Sequence, residues 1–200
     1  MSHYFHTPGG EEHRRRITAR FWDTDWEFTT ADGVFSADGL DLGTAVLLRE
    51  SVPPGGASRL LDLGCGWGVL AVALASACPE AVVDAVDTNE RALALCAANA
   101  AAHGVGERVR TLLPADADPD ARYDEIWSNP PIRIGKQALH DLLLTWLPRL
   151  APGGTARLVV GRNLGADSLQ GWLEASGYRC ERVASAKGFR VFSVRQESDR

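Results

Sequence analysis

The chain has 200 residues, 45% of them apolar and 24% charged. That is the size and make-up of one globular domain, at most with an appendage, which excludes disordered and fibrous architectures. Its 21 basic and 26 acidic residues leave a net charge of −5, so a polyanionic partner would have to meet a local basic patch. No run approaches 18 uninterrupted apolar residues and residues 1–10 hold no apolar core of signal-peptide type. Neither a membrane span nor a secretory signal is expected, and the cytoplasm is the expected address. Cys65, Cys78, Cys96 and Cys180 are scattered, with no C-x-x-C and no zinc spacing. They read as reduced, mostly buried thiols, and no metal site is expected.

In chain order, residues 14–22 and 26–30 flank Asp23-Thr24-Asp25 and predict a β-hairpin. A glycine-containing loop, 32–41, leads to a helix near 43–50, and Pro53-Pro54-Gly55-Gly56 then interrupts the chain. Residues 1–56 thus read as an N-terminal extension packed on a core of residues 57–200. In that core β-like runs alternate with helical patterns. Strands are predicted at 60–63, 81–86, 109–113, 123–127 and 155–160, and helices at 69–77, 91–102, 137–150 and 168–176. Residues 178–184 and 189–194 flank Lys187-Gly188 as a closing hairpin. Such alternation predicts an α/β, Rossmann-like fold: a mainly parallel sheet, doubly wound, ending in an antiparallel hairpin.

Leu60-Leu61-Asp62-Leu63-Gly64-Cys65-Gly66-Trp67-Gly68 is a strand running into a glycine loop that opens a helix. Glycines allow close backbone approach and a helix N-terminus offers unpaired N–H groups, so a nucleotide-like cofactor is expected. The dinucleotide fingerprint would need glycine at position 69, where Val69 stands, and no Walker lysine follows. Asp87 ends the next strand about 20 residues on, where sheets of this kind bind ribose hydroxyls. Asp84 falls on the opposite sheet face by strand parity. Asp116, after the third strand, is either a contact for a base amino group or a solvated loop acid. Asn129-Pro130-Pro131 ends the fourth core strand, at the edge where open α/β sheets hold ligands. Two prolines remove donors and leave carbonyls, and Asn129 adds an amide oxygen. Acceptors so placed suit an exocyclic NH₂ group that must be oriented and stabilised as it gains charge.

The stretch Asp62–Gly68 resembles the first motif of class I S-adenosylmethionine (SAM) methyltransferases. With His3-Tyr4-Phe5, Gly33-Val34-Phe35-Ser36, Asp38–Thr44, Asn129-Pro-Pro-Ile-Arg-Ile-Gly-Lys136 and Asn163–Ala166, nearly the whole chain is similar to the "methyltransferase small" family. Its likeness is to the RsmC-type enzymes that methylate guanine N2 in 16S ribosomal RNA. The resemblance implies a seven-stranded core and SAM as cofactor. It implies cofactor contacts at Asp62, Gly64, Cys65, Gly66, Gly68, Asp87, Thr88, Asp116, Ala117, Thr44 and Asn129, and catalysis by Asn129, Pro130 and Pro131. It also implies an RNA substrate, small-subunit rRNA or the 30S particle, met by Phe35, Ile132, Arg133, Lys136 and Arg162. Lys187 and the run Arg14-Arg15-Arg16 are further basic candidates, and His140 could lie near the site or be an ordinary partly buried histidine. Two departures stand out. There is no room for the second methyltransferase-like domain of longer relatives, and Ile132 occupies a position where many amino-methyltransferases place an aromatic ring. The same loop chemistry also serves adenine N6, a protein glutamine amide, or a non-catalytic SAM-binding module in ribosome assembly.

Overall fold

A computed structural model describes residues 13–197; the His3-Tyr4-Phe5 stretch lies outside them. Two strands, β1 (Arg14–Phe21) and β2 (Thr24–Ala31), form an antiparallel hairpin. Helix α1 (Leu42–Arg49) leads to the main sheet. The strands there are β3 (Arg59–Leu63), β4 (Val82–Val86), β5 (Val109–Leu112), β6 (Tyr123–Ser128), β7 (Leu150–Gly161), β8 (Tyr178–Ala186) and β9 (Phe189–Gln196). Between them lie α2 (Val69–Ala77), α3 (Glu90–Ala102), α4 (Lys136–Trp146) and α5 (Ala166–Ala175). The order is β5-β4-β3-β6-β7-β9-β8. Pairing is parallel from β5 to β7, and β9 runs antiparallel between β7 and β8. The strand order reverses between β3 and β6, so a crevice opens beyond their carboxyl ends.

The first hairpin turns differently from the three-residue loop expected at 23–25. Its turn is Trp22-Asp23, both left-handed at φ 47° and 56°, the paired positive values that tight hairpins favour. A tryptophan is costly in that conformation. Its indole N–H donates to the carbonyls of Leu48 (2.9 Å) and Ser51 (3.1 Å), which offsets the strain and ties the turn to the end of α1. The closing hairpin turns at Lys187-Gly188 (φ 48° and 81°), as expected.

One face of the sheet is covered by α1, α2, α3 and the first hairpin, which contributes Phe21, Trp26 and Phe28 to that core. The other is covered by α4 and α5 around Trp146, Tyr123 and Phe192. Asp84, almost fully buried, accepts from Tyr123 Oη (2.9 Å) and pairs with Arg110 (2.6 Å) and Arg59 (3.3 Å). It thereby pins β3, β5 and β6 to β4. Asp84 is the buried member; Arg59 and Arg110 keep 30% and 48% of their side chains exposed, so losing either arginine costs less than breaking a fully buried pair, about 3–5 kcal/mol.

Candidate active site

The crevice holds two loops side by side. After β3, the N–H groups of Gly64 (2.8 Å) and Cys65 (3.0 Å) donate to the Val86 carbonyl, and Gly66 N–H donates to Asp87 Oδ2 (2.9 Å). Asp87 Oδ1 accepts from Asn89 N–H (2.9 Å). The acid predicted to end β4 therefore braces the loop, each oxygen keeping further acceptor capacity. Burial raises its pKa, opposed by the backbone N–H groups of Asn89, Gly66 and Thr88. Gly64 and Gly66 have positive φ and nothing within 4 Å of where a side chain would begin. Gly68 differs: a Cβ there would lie 2.6 Å from Cys96 Sγ, so it is small in order to pack against α3.

Asp62 is the buried acid behind this loop. Its Oδ2 accepts from Ala71 N–H (2.9 Å) in the first turn of α2. Its Oδ1 is buried with no hydrogen-bond partner among the described residues. Burial drives its pKa up to about 8; the Ala71 N–H opposes this and the Asp87 charge adds to it. A recess lined by Phe35, Asp41, Thr44, Asp62, Gly64, Gly66 and Asn129, among others, opens in front. Open glycine backbone beside an orphaned buried carboxyl oxygen fits a ligand carrying a positively charged amino group, as the methionyl end of SAM does.

After β6, Ser128 Oγ donates to the Leu63 carbonyl (2.6 Å) and holds the second loop beside the first. Asn129 Nδ2 then donates to Asp41 Oδ1 (2.6 Å) and Thr44 Oγ1 (3.1 Å), and the residue lines the recess. The two proline carbonyls, expected to be free, each already accept one N–H: Ile132 on Pro130 (2.8 Å) and Ile134 on Pro131 (3.1 Å). Pro131, at φ −74° and ψ 74°, makes the inverse γ-turn behind the first bond, and the 3-10 turn at Ile132–Ile134 makes the second. One lone pair remains on each carbonyl.

Thr44, Asp62, Gly64, Cys65, Gly66, Phe35 and Asn129 are thus brought together. Thr88 and Asp116 are exposed at the ends of β4 and β5, Ala117 is buried in the core, and Ile132 packs partly against it. Lys136 is exposed at the first turn of α4; Arg133 lies one turn before, its side chain outside the described set. Arg162 and Lys187 line a second cleft at the β8–β9 hairpin, together with Phe189. In the first hairpin Arg15 faces Asp32 (2.6 Å) and Arg16 faces Glu27 (3.3 Å), so that basic run is partly neutralised by its own acids. His140 stacks on Trp172 at 3.6 Å and is a core histidine.

Beside the lining residues Ser36, Leu40, Trp67, Val69 and Leu70, Asp41 and Phe189 escaped prediction as site members. Asp41 was read only as part of a motif, although an acid immediately before a helix is a legible N-cap. Phe189 carried no signal beyond its place after a turn. It reaches 3.0 Å from where a Cβ on Gly43 would stand, and that point is 3.2 Å from Asn129 Nδ2.

A glycine loop after the central strand, an acid ending its neighbour and an oriented asparagine at the switch point define an α/β methyltransferase. The comparisons agree. The methyltransferase small domain model matches residues 25–193, and the chain belongs to that family, whose cofactor is S-adenosylmethionine. It is 28% identical over 196 residues to YbxB of Bacillus subtilis (strain 168), covering 97% of this chain and 98% of that one. It is 35% identical over 187 residues to ribosomal RNA small subunit methyltransferase C of Pseudomonas aeruginosa (strain LESB58), covering 91% of this chain and 54% of the relative. Among solved structures, the Thermus thermophilus 16S rRNA N2 G1207 methyltransferase (RsmC), in complex with AdoMet and guanosine, superposes with a TM-score of 0.76. Identity there is 24%, over 94% of this chain and 52% of that one. The chain therefore spans about half the length of the RsmC relatives it matches. The fold, Rossmann-like with its closing hairpin, is as expected. No helix among the described residues is long and apolar enough to cross a membrane.

Proposed function

We propose that this chain transfers a methyl group from SAM to an exocyclic amino nitrogen, guanine N2 of small-subunit ribosomal RNA, in the cytoplasm. The observation that carries this reading is the Asn129 amide. Both hydrogens of its NH₂ are taken by the protein's own Asp41 and Thr44, which leaves the amide oxygen for a substrate, on a residue that lines the recess. An oxygen there accepts an N–H from a substrate amine, turning the nitrogen lone pair away from the ring system that delocalises it.

When bound, SAM supplies an electrophilic methyl group on a sulfonium sulfur. Asp62 and the open backbone at Gly64, Cys65 and Gly66 would hold its methionyl part, with Gly68 shaping the loop. Asp87 and Thr88 would hold the ribose, and Asp116 and Ala117 the adenine. As the new C–N bond forms and the methyl's bond to sulfur breaks, its electron pair staying on sulfur, positive charge grows on the acceptor nitrogen. Asn129 Oδ1 and the remaining lone pair of Pro130 oppose that charge, while Pro131 fixes the turn that aims them. The surplus N–H proton departs to water. Phe35, half exposed at the mouth, and Phe189 offer aromatic faces where Ile132 cannot stack. Arg133, Lys136 and Arg162 would meet RNA phosphates.

Incubation with tritiated SAM and 30S subunits, naked 16S rRNA or total ribosomal protein tests the proposal. N2-methylguanosine in the digested RNA supports it. Label recovered only in protein, or as N6-methyladenosine, overturns it.

A further inference from the structure

A primary amide is nearly symmetric in shape but not in chemistry: one end donates two hydrogens and the other only accepts. Asn129 can serve an amine only with its oxygen toward the recess, so something must forbid the flipped form. An ionised carboxylate can only accept, and Asp41 Oδ1 stands 2.6 Å from Asn129 Nδ2. Were the amide flipped, two oxygens would face each other at that distance. Thr44 Oγ1 supplies the second acceptor at 3.1 Å. Asp41 is itself held, because the same Oδ1 caps α1 by accepting from Thr44 N–H at 3.0 Å. Gly43 leaves the space. A Cβ there would stand 2.9 Å from Asp41 Oδ1 and 3.2 Å from Asn129 Nδ2.

We infer that Asp41 is the positioning residue that fixes the orientation of the Asn129 amide, an inference that rests on the reading of Asn129 given above. Asp41 touches no reacting atom. It acts by holding α1's first turn and the asparagine with one oxygen.

Two substitutions separate this role from capping. Asp41→Ser keeps a good helix N-cap but withdraws the oxygen from Asn129 and adds a hydroxyl donor that tolerates the flipped amide. Asp41→Asn can place a carbonyl oxygen where Oδ1 stands and serves as the rescue. Turnover of tritiated SAM on 30S subunits is expected to fall by about 10²-fold in kcat for Asp41→Ser, the scale of a misplaced catalytic contact. Thermal stability and SAM affinity should stay near wild type, and Asp41→Asn should retain most of the rate. The side-chain NH₂ signal of Asn129, assigned by its loss in Asn129→Ala, supplies a readout without substrate. Its protons should exchange slowly in wild type and Asp41→Asn and rapidly in Asp41→Ser. Wild-type kcat in Asp41→Ser, or unchanged exchange of that NH₂, overturns the inference. If the wild-type protein methylates neither 30S subunits nor naked 16S rRNA, the functional reading fails instead, and the amide signal alone decides the role of Asp41.

Discussion

The glycine loop after β3 is braced mostly from within its own βαβ unit, by the Val86 carbonyl and Asp87, and its farthest partners, Asn99 and the Phe35 carbonyl on Trp67, lie 32 residues away. The Asn-Pro-Pro loop after β6 is braced by side chains that lie 85 and 88 residues earlier in the chain. Both loops end parallel strands that lie side by side in the sheet. The first rests mainly on one βαβ unit, and the N-terminal segment reaches it through the bond from Trp67 Nε1 to the Phe35 carbonyl (3.1 Å). The second exists only when the segment around α1 is docked. Disturbing the N-terminal region should therefore damage methyl transfer while sparing the cofactor, and disturbing β3 or β4 should do the reverse.

The largest effect is expected from Asn129→Ala, which should lower kcat by about 10²–10³, the scale for removing one preorganised group facing a developing charge. SAM affinity measured by calorimetry should change far less. Equal losses in both would merge the two regions into one.

Asp62→Asn attacks the other side. SAM binding should weaken by about 1–3 kcal/mol, the scale of a lost buried partner, with kcat at saturation little changed. Its pH dependence has a definite sign. Burial holds the Asp62 carboxyl at about 8, well above its ordinary value, so between pH 4 and 8 the folded protein keeps a proton that the unfolded chain has released. Stability without ligand should therefore fall as pH rises through that window, with the loss complete above about 8. A cationic ligand favours the ionised form, so SAM affinity should rise with pH up to about 8 and then level. Urea titrations at pH 5 and 8, on wild type and Asp62→Asn, check the first; calorimetry over the same range checks the second. Identical profiles for the two proteins would remove Asp62 from the account.

Gly43→Ala should cost about 1–3 kcal/mol of stability by overpacking and should lower kcat with unchanged SAM affinity. A loss of SAM affinity instead would mean that the two loops share their support. The smallest effect on turnover is expected from Arg162→Gln with Lys187→Gln. It should flatten the log–log salt dependence of RNA binding by up to about two units, somewhat under one per lost phosphate contact. An unchanged salt slope would move the RNA path away from the β8–β9 cleft.

The same division governs what could be read from sequence. The glycine loop was legible because strand, glycines and helix start are contiguous: α2 falls at residues 69–77 as its alanine-rich pattern indicates. The closing hairpin was legible from Lys187-Gly188, a pair suited to two left-handed residues. The first hairpin's turn was misplaced because Trp22 does not advertise a left-handed conformation. Only its long-range bonds to Leu48 and Ser51 reveal why it is tolerated. The proline carbonyls were expected to be free because neither the γ-turn at Pro131 nor the single 3-10 turn after it carries a residue signal that separates it from an extended X-Pro pair. The partnership of Asp41 with Asn129 was illegible for the plainest reason: no local rule links positions 88 apart.

That partnership can nevertheless be turned into a text search. Gly43 sits where any Cβ would press on an aspartate, a phenylalanine ring and an asparagine amide at once. A chain that writes Asp-x-Gly-Thr at the start of a helix, and Asn-Pro-Pro some 85 residues later at a strand end, has spelled both halves of one clasp. Glycine at the third letter is the character on which the spelling depends. Fragments, circular permutants or designed chains could be screened for an oriented asparagine by that single letter, before any coordinates exist.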